Sequence, residues 1–238
     1  MKNIKNIALG LIAAASLSFA GVDGHWDYDK HGPEHWGKFS KTCDTGKEQS
    51  PINIDTESTV SLEKGYDIEI HEDYHGVCNV VDNGHSLKVT PVDGGYIKLH
   101  GKTYKLNQFH FHGKSEHTVD GRRYNAVAHF VHLAKDGMVA VVAVMFEVGE
   151  ENPTMKVILD NLGKSVKVNP ADMFPADTAH YYHYKGSFTT PPCTEQVQWY
   201  ILKDTVSISK AQLKQMRKYY TNNERPVQPL NGRKVEAK

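Results

Sequence analysis

The run Gln108-Phe109-His110-Phe111-His112 sets two histidines two residues apart among aromatic neighbours. Side chains alternate faces along a strand, so His110 and His112 share one face with Gln108, while Phe109 and Phe111 turn to the other, buried one. A third histidine, His129, follows in Val127-Ala128-His129-Phe130-Val131, beyond an Asp120-Gly121 turn able to fold this second segment back beside the first. Three imidazoles then converge on one sheet face. Neutral imidazole suits zinc, and three protein ligands leave the fourth tetrahedral position open, the pattern of a catalytic rather than a structural site. Three neutral ligands also leave the ion its full charge, which favours a bound hydroxide near neutral pH. With 14 histidines in the chain, no single one carries this argument; the convergence of three does.

The elements that must position these residues are mostly strands. Residues 66–71, 86–90, 96–99, 105–111, 126–133, 138–148 and 196–202 are rich in β-branched and aromatic side chains. Asn83-Gly84, Asp93-Gly94-Gly95, Asp120-Gly121 and Asp136-Gly137 punctuate them with turn chemistry. Two helices are expected, residues 152–162 opened by Asn152-Pro153 and residues 209–219 opened by a capping serine. The predicted fold is mainly β, a single domain with a large, mostly antiparallel central sheet and a few short peripheral helices. At 238 residues, 39% apolar and 24% charged, the chain can bury a substantial core. Its 28 Lys and Arg balance 28 Asp and Glu, leaving no net field for nucleic acid or an anionic membrane and favouring a small neutral or singly charged substrate.

Residues 1–20 differ in kind. Lys2 and Lys5 precede an apolar run over residues 7–15, and Ser18-Phe19-Ala20 supplies the small residues of a cleavage site. The run is shorter than the roughly 20 apolar residues that span a bilayer. This reads as a secretory signal, with a mature domain over residues 21–238, export to the periplasm and no membrane insertion of the mature chain. Export places Cys43, Cys78 and Cys193 where a disulfide persists. Three single bridges are possible. Cys78 lies in an apolar stretch where a free cysteine acts as a small core residue. A Cys43 to Cys193 bridge would close a long loop and contribute about 2–4 kcal/mol.

Several segments match a known family in order. Gln108 to His112, Ser115-Glu116-His117-Thr118-Val119-Asp120, His129-Phe130-Val131-His132 and Ser187-Phe188-Thr189-Thr190-Pro191-Pro192 resemble the α-class carbonic anhydrases. So do Gly32-Pro33-Glu34-His35-Trp36, Gln49-Ser50-Pro51-Ile52-Asn53-Ile54, Asn83-Gly84-His85 and Asn223-Glu224-Arg225-Pro226-Val227-Gln228-Pro229-Leu230, so that nearly the whole chain after the signal is covered.

The resemblance implies a large twisted sheet, and it makes His110, His112 and His129 the ligands of a Zn2+ whose bound hydroxide attacks carbon dioxide to give bicarbonate. It makes Glu116 and Thr189 an orienting pair: an ionised carboxylate only accepts, so it takes the Thr189 hydroxyl proton and leaves Thr189 to accept from the nucleophile. Carbon dioxide would meet an apolar wall of Val131, Val141, Val197, Phe188 and Trp199, and Thr190 would contact substrate or bicarbonate. His85 resembles the family's proton shuttle, a role that suits an imidazole with an unperturbed pKa of about 6.5. Tyr28 and Asn83 match residues that hold the shuttle's water chain. Gln108, His117 and the Asn223 backbone are implied as supports of the metal ligands. Cys43 and Cys193 sit where bacterial members carry a disulfide, leaving Cys78 free, and such relatives are often homodimers.

Two positions depart from the family's pattern. Many members carry a glutamate two residues before the third metal ligand, where this chain has Val127; losing such a partner typically costs about 10–100-fold in metal affinity or activity. Lys88 replaces a neutral amide, and its ammonium is expected to lower the pKa of His85. Two other readings start from the same residues. His110-x-His112-x3-Glu116 fits the first motif of a cupin-type metal enzyme, with Glu116 as a ligand to iron or manganese. The scattered His25, His31, His35, His71 and His75 would fit a non-catalytic periplasmic zinc-binding protein.

Overall fold

A computed structural model describes residues 25–238 apart from residues 63, 64 and 66. The expected signal at residues 1–20 and the mature start at Gly21 lie outside the described residues. No described helix is long and apolar enough to cross a membrane.

Seven strands carry the architecture: β1 (Gly76–Asp82), β2 (Leu87–Pro91), β3 (Lys102–His112), β4 (Ala126–Ala134), β5 (Val139–Val148), β6 (Tyr181–Ser187) and β7 (Glu195–Leu202). In the sheet they run β1, β2, β3, β4, β5, β7, β6, with Ser165–Val168 beyond β1 and Glu236–Ala237 beyond β6. Neighbours are antiparallel except β5 and β7, which pair in parallel from Val139↔Val197 to Ala143↔Ile201. The sequence of β5 explains its central place. Val139 to Phe146 is an unbroken apolar run with both faces covered, as a strand flanked on both sides requires.

The alternation expected of β3 is present. Phe109 and Phe111 are 0% and 1% exposed on one face, where Phe109 pairs with Phe130 across the ladder and stacks on it at 4.9 Å between centroids. Burying each such ring contributes about 1.5–3 kcal/mol, and the stacked pair adds to this. The opposite face carries the histidines and a second apolar cluster that includes Val127, Val131, Val141, Val197 and Trp199.

Asp120 and Gly121 both adopt positive φ, 50° and 76°, and the chain returns as β4 in antiparallel register with His110 opposite His129. The turn predicted from Asp120-Gly121 thus brings the third histidine beside the first.

Strands 96–99, 105–111, 126–133, 138–148 and 196–202 form within a few residues of expectation, and β2 begins one residue after the expected start. The stretch expected over residues 66–71 contracts to Glu69–Ile70, Tyr66 lying outside the described residues. Strands β1 and β6 were not anticipated. Gly76, Asn79 and Asp82 interrupt the β-branched pattern of β1, and Lys185-Gly186-Ser187 breaks off the aromatic run that opens β6; tertiary pairing overrides both. Two helices appear as predicted, shortened to Pro153–Asp160 and Lys210–Arg217. Asn152 caps the first by accepting from Met155 N–H, and Ser209 opens the second with a full capping box.

Cys43 and Cys193 are joined, with Cα atoms 5.0 Å apart, and Cys78 is free and buried. The bridge ties the N-terminal segment to the loop that follows Thr189 and Thr190.

Candidate metal centre

His110, His112 and His129 bring one nitrogen each to within 4.8 Å of one another. His112 and His129 are each 1% exposed. The tautomers of two are fixed by the strand and a neighbouring loop. His110 Nδ1 pairs with Gln108 Oε1 at 3.0 Å, two residues back on the same face. His112 Nδ1 donates to the carbonyl of Asn223, whose side chain is itself held by Gly113 N–H at 2.9 Å and donates to the carbonyls of Phe111 and His85 at 3.1 Å. Both rings therefore present Nε2 to the centre.

Glu116 Oε2 lies 3.4 Å from His112 Nε2 and 3.7 Å from His129 Nδ1, so His129 meets the same point through Nδ1. Its far nitrogen, Nε2, is buried without a hydrogen-bond partner among the described residues. The same holds for Nδ1 of His117, whose ring lies 6.2 Å from that of His129. Val127, two residues before His129 on the same strand face, has no group able to accept from either nitrogen.

Burial holds His110 and His129 well below the usual histidine range, and the neighbouring imidazoles push in the same direction. Neutral rings are what a metal requires of them. Three such rings with two preset tautomers fit zinc, and equally fit the three-ligand set that leaves one position open.

Glu116 is fully buried beside the cluster without belonging to it. Its Oε1 accepts from Arg225 N–H at 2.8 Å. Burial raises its pKa, against which His112, the Arg225 N–H and the Thr189 side chain favour the carboxylate. Thr189 stands close enough for that influence, yet Oε2 makes no bond of full hydrogen-bond geometry. His117 pairs through Nε2 with Tyr184 OH at 2.7 Å, which reaches Ser50 Oγ at 2.7 Å; burial depresses the His117 pKa to about 3.

A cavity of about 280 Å³ opens over the histidines. One wall is apolar, formed by Val131, Val141, Phe188 and Trp199, with Thr189 and Thr190 at its edge; the other is polar, formed by Lys88, Thr90, Asn107 and Gln108. Val197, expected on the apolar wall, packs behind it at 1% exposure in the same cluster as Val131, Val141 and Trp199.

His85 follows the Asn83-Gly84 turn and stacks on Trp26, with ring centroids 3.7 Å apart. Asn83 shapes that turn, its Oδ1 accepting from the N–H groups of His85 and Ser86 at 3.0 and 2.8 Å. Tyr28 packs edge-on against Trp26 and Trp36, and burial holds its phenol well above its usual pKa. Burial lowers the pKa of His85, and His25 lowers it further, while Asp27 and Asp82 oppose them. Lys88, expected to act on His85, acts instead on His110, its partner across the β2–β3 ladder.

Sequence reasoning assigned no role to Arg225, Tyr184 or Ser50. Ser50 and Arg225 were marked only by lying within the matched segments, and nothing in the sequence marked Tyr184. Arg225 is 2% exposed, and its guanidinium donates to Gln49 Oε1, Ser50 O and Cys43 O at 2.8–2.9 Å.

Comparison with known proteins places this geometry. Residues 31–238 match the family described as eukaryotic-type carbonic anhydrase. The chain is 41% identical to a carbonic anhydrase of Neisseria gonorrhoeae, covering 96% of this chain and 94% of that protein. It is 37% identical to a carbonic anhydrase of Pectobacterium atrosepticum, covering 98% of each. Among solved structures, the α-carbonic anhydrase of Thermovibrio ammonificans in complex with the inhibitor sulfanilamide superposes with a TM-score of 0.82 at 40% identity, covering 90% of this chain and 99% of that one.

Proposed function

The chain belongs to the eukaryotic-type, or α-class, carbonic anhydrase family of carbon dioxide-hydrating lyases, and on that premise we propose that its cavity hydrates carbon dioxide reversibly to bicarbonate and a proton with zinc held by His110, His112 and His129. The observation that carries this reading is the meeting of three imidazole nitrogens within 4.8 Å at the floor of a cavity with one apolar and one polar wall. Zinc bound there supplies the nucleophilic form of water near neutral pH.

The chain's own residues do the rest. Gln108 and the Asn223 carbonyl fix His110 and His112 in the tautomers that present Nε2. Val131, Val141, Phe188 and Trp199 exclude water from one side of the cavity, a surface suited to apolar carbon dioxide. Glu116, anchored by Arg225 N–H, accepts a hydrogen bond from the Thr189 hydroxyl, so that Thr189 in turn accepts from the nucleophile and orients it. Thr190, beside it, contacts bicarbonate. His85 takes the proton released in each cycle and passes it to buffer, with Tyr28 and Asn83 flanking its path.

The same reading extends to location and assembly. The basic and apolar pattern of residues 1–20 supports export to the periplasm, where the Cys43–Cys193 bridge persists. Assembly as a homodimer is part of the proposal and is checked by sedimentation.

The test is stopped-flow carbon dioxide hydration by the oxidised chain as purified, after chelation and after zinc is restored, with zinc quantified in each sample. Fast hydration with one zinc per chain, lost and regained with the metal, is the expected result. A fully zinc-loaded but inactive chain rejects the proposal in favour of a zinc-binding protein.

A further inference from the structure

The reaction outlined above leaves Lys88 without a task, although its place is firmly set. Strand β2 pairs with β3 so that Lys88 stands opposite His110 and Val89 opposite Phe109. Val89 and Phe109 are both 0% exposed on the core face. Alternation therefore puts Lys88 on the histidine face, where it lines the cavity with Thr90, Asn107 and Gln108.

No residue lining that cavity has a carboxylate, so Lys88 brings to it an uncompensated formal charge. Among the described residues, ion pairs engage Lys102, Lys114, Lys156, Lys185 and Lys238, and Lys88 has none. Its neighbours add donors. Gln108 commits Oε1 to His110 Nδ1 at 3.0 Å, which leaves its amide N–H groups to the cavity. Thr90 offers a hydroxyl and Asn107 a second amide. An ammonium without a counter-ion, surrounded by neutral donors and faced by an apolar wall, attracts a small oxyanion more strongly than the same group would on an open surface.

We propose that Lys88, Thr90, Asn107 and Gln108 form a holding site for a bicarbonate-class anion, bicarbonate itself or a small carboxylate, on the polar wall beside the metal ligands. Bicarbonate as its natural occupant rests on the proposed reaction; the attraction for carboxylates does not. An anion held there before bond making is stabilised in the ground state more than in the transition state. That lowers KM and kcat for dehydration together.

Two measurements on the zinc-loaded chain decide the matter. In stopped-flow dehydration of bicarbonate, Lys88→Gln raises KM and kcat together by about 1.5- to fivefold, the range for a partly exposed charge pair, so their ratio moves less than either. Lys88→Arg keeps both near the wild-type values. In a sodium acetate titration followed by amide NMR, shifts gather on residues 88, 90, 107 and 108 in wild type and are lost from residues 88, 90 and 107 in Lys88→Gln. Unchanged kinetics, with acetate shifts confined to residues 110, 112 and 129, overturn the holding site. A zinc-loaded chain that turns over neither substrate yet keeps Lys88-dependent acetate shifts supports the anion site and rejects the reaction, so the two claims fail separately.

Discussion

Arg225 holds Glu116 from the backbone and the surrounding loops from the side chain: its N–H donates to Glu116 Oε1 at 2.8 Å, while its guanidinium is bonded to Gln49, Ser50 and Cys43. A planar fork with three separate acceptors has no equivalent in lysine. Removing it leaves a buried carboxyl, two backbone carbonyls and an amide oxygen short of compensation. Arg225→Met is therefore expected to cost about 3–5 kcal/mol in urea unfolding, and Arg225→Lys to recover less than half of that. A loss below about 1 kcal/mol would mean that water replaces the guanidinium without penalty.

The unpartnered nitrogens of His129 and His117 lead to a prediction in the opposite direction. Val127 is 0% exposed and shares the strand face of His129, so a carboxylate at this position would meet His129 Nε2 and come near His117 Nδ1, both unpartnered among the described residues. Such a partner typically strengthens metal retention about 10–100-fold. Val127→Glu should slow zinc release to a chelator by a factor in that range. An unchanged release rate would show that the far nitrogen of His129 is already satisfied.

His85 offers a pH test. Burial and His25 hold its pKa below the ordinary value of 6.5, with Asp27 and Asp82 opposing. An imidazole accepts a proton only when neutral, so kcat for hydration in weak buffer should fall as pH drops through a value below 6.5. Because His25 lowers that pKa, His25→Ala should move the midpoint upward. His85→Ala should lower kcat and leave kcat/KM nearly untouched, with added imidazole restoring kcat. A profile that ignores His25→Ala would place the acceptor elsewhere.

The clustering of His110, His112 and His129 was legible because its geometry is local. His110 and His112 need only the period of a strand, and His129 needs one turn, Asp120-Gly121, whose residues accept positive φ. The groups that hold these rings in place come from far away in sequence. Asn223 reaches His112 across 111 positions, and Arg225 reaches Gln49 across 176, distances over which no periodicity speaks. Resemblance named Asn223 but gave Arg225 no role. Lys88 shows the reverse error. Its nearness in sequence to His85 suggested an effect on the shuttle, yet cross-strand register places it against His110. The strands β1 and β6 were missed for a related reason, since pairing rather than composition makes them strands.

On the far side of the sheet, His132 is 0% exposed and pairs through Nε2 with Tyr74 OH at 2.8 Å. Burial lowers its pKa to about 3. In the unfolded chain the same group titrates near 6.5. Between these two values the unfolded state binds the proton and the folded state does not. The contribution is thus fully present above about pH 6.5 and is lost as pH falls toward 3, at roughly 1.4 kcal/mol per pH unit for this one group. Replacing both partners by apolar rings of similar shape removes the titration without stranding a polar atom, a change that can be nearly neutral. His132→Phe with Tyr74→Phe, measured against wild type with both chains metal-free, should match wild-type stability within about 1 kcal/mol at pH 7.5. It should then gain on wild type steadily as the pH is lowered to 4.5. Parallel stability curves over that range would mean that His132 is protonated in the folded state and that its burial does not contribute to acid unfolding.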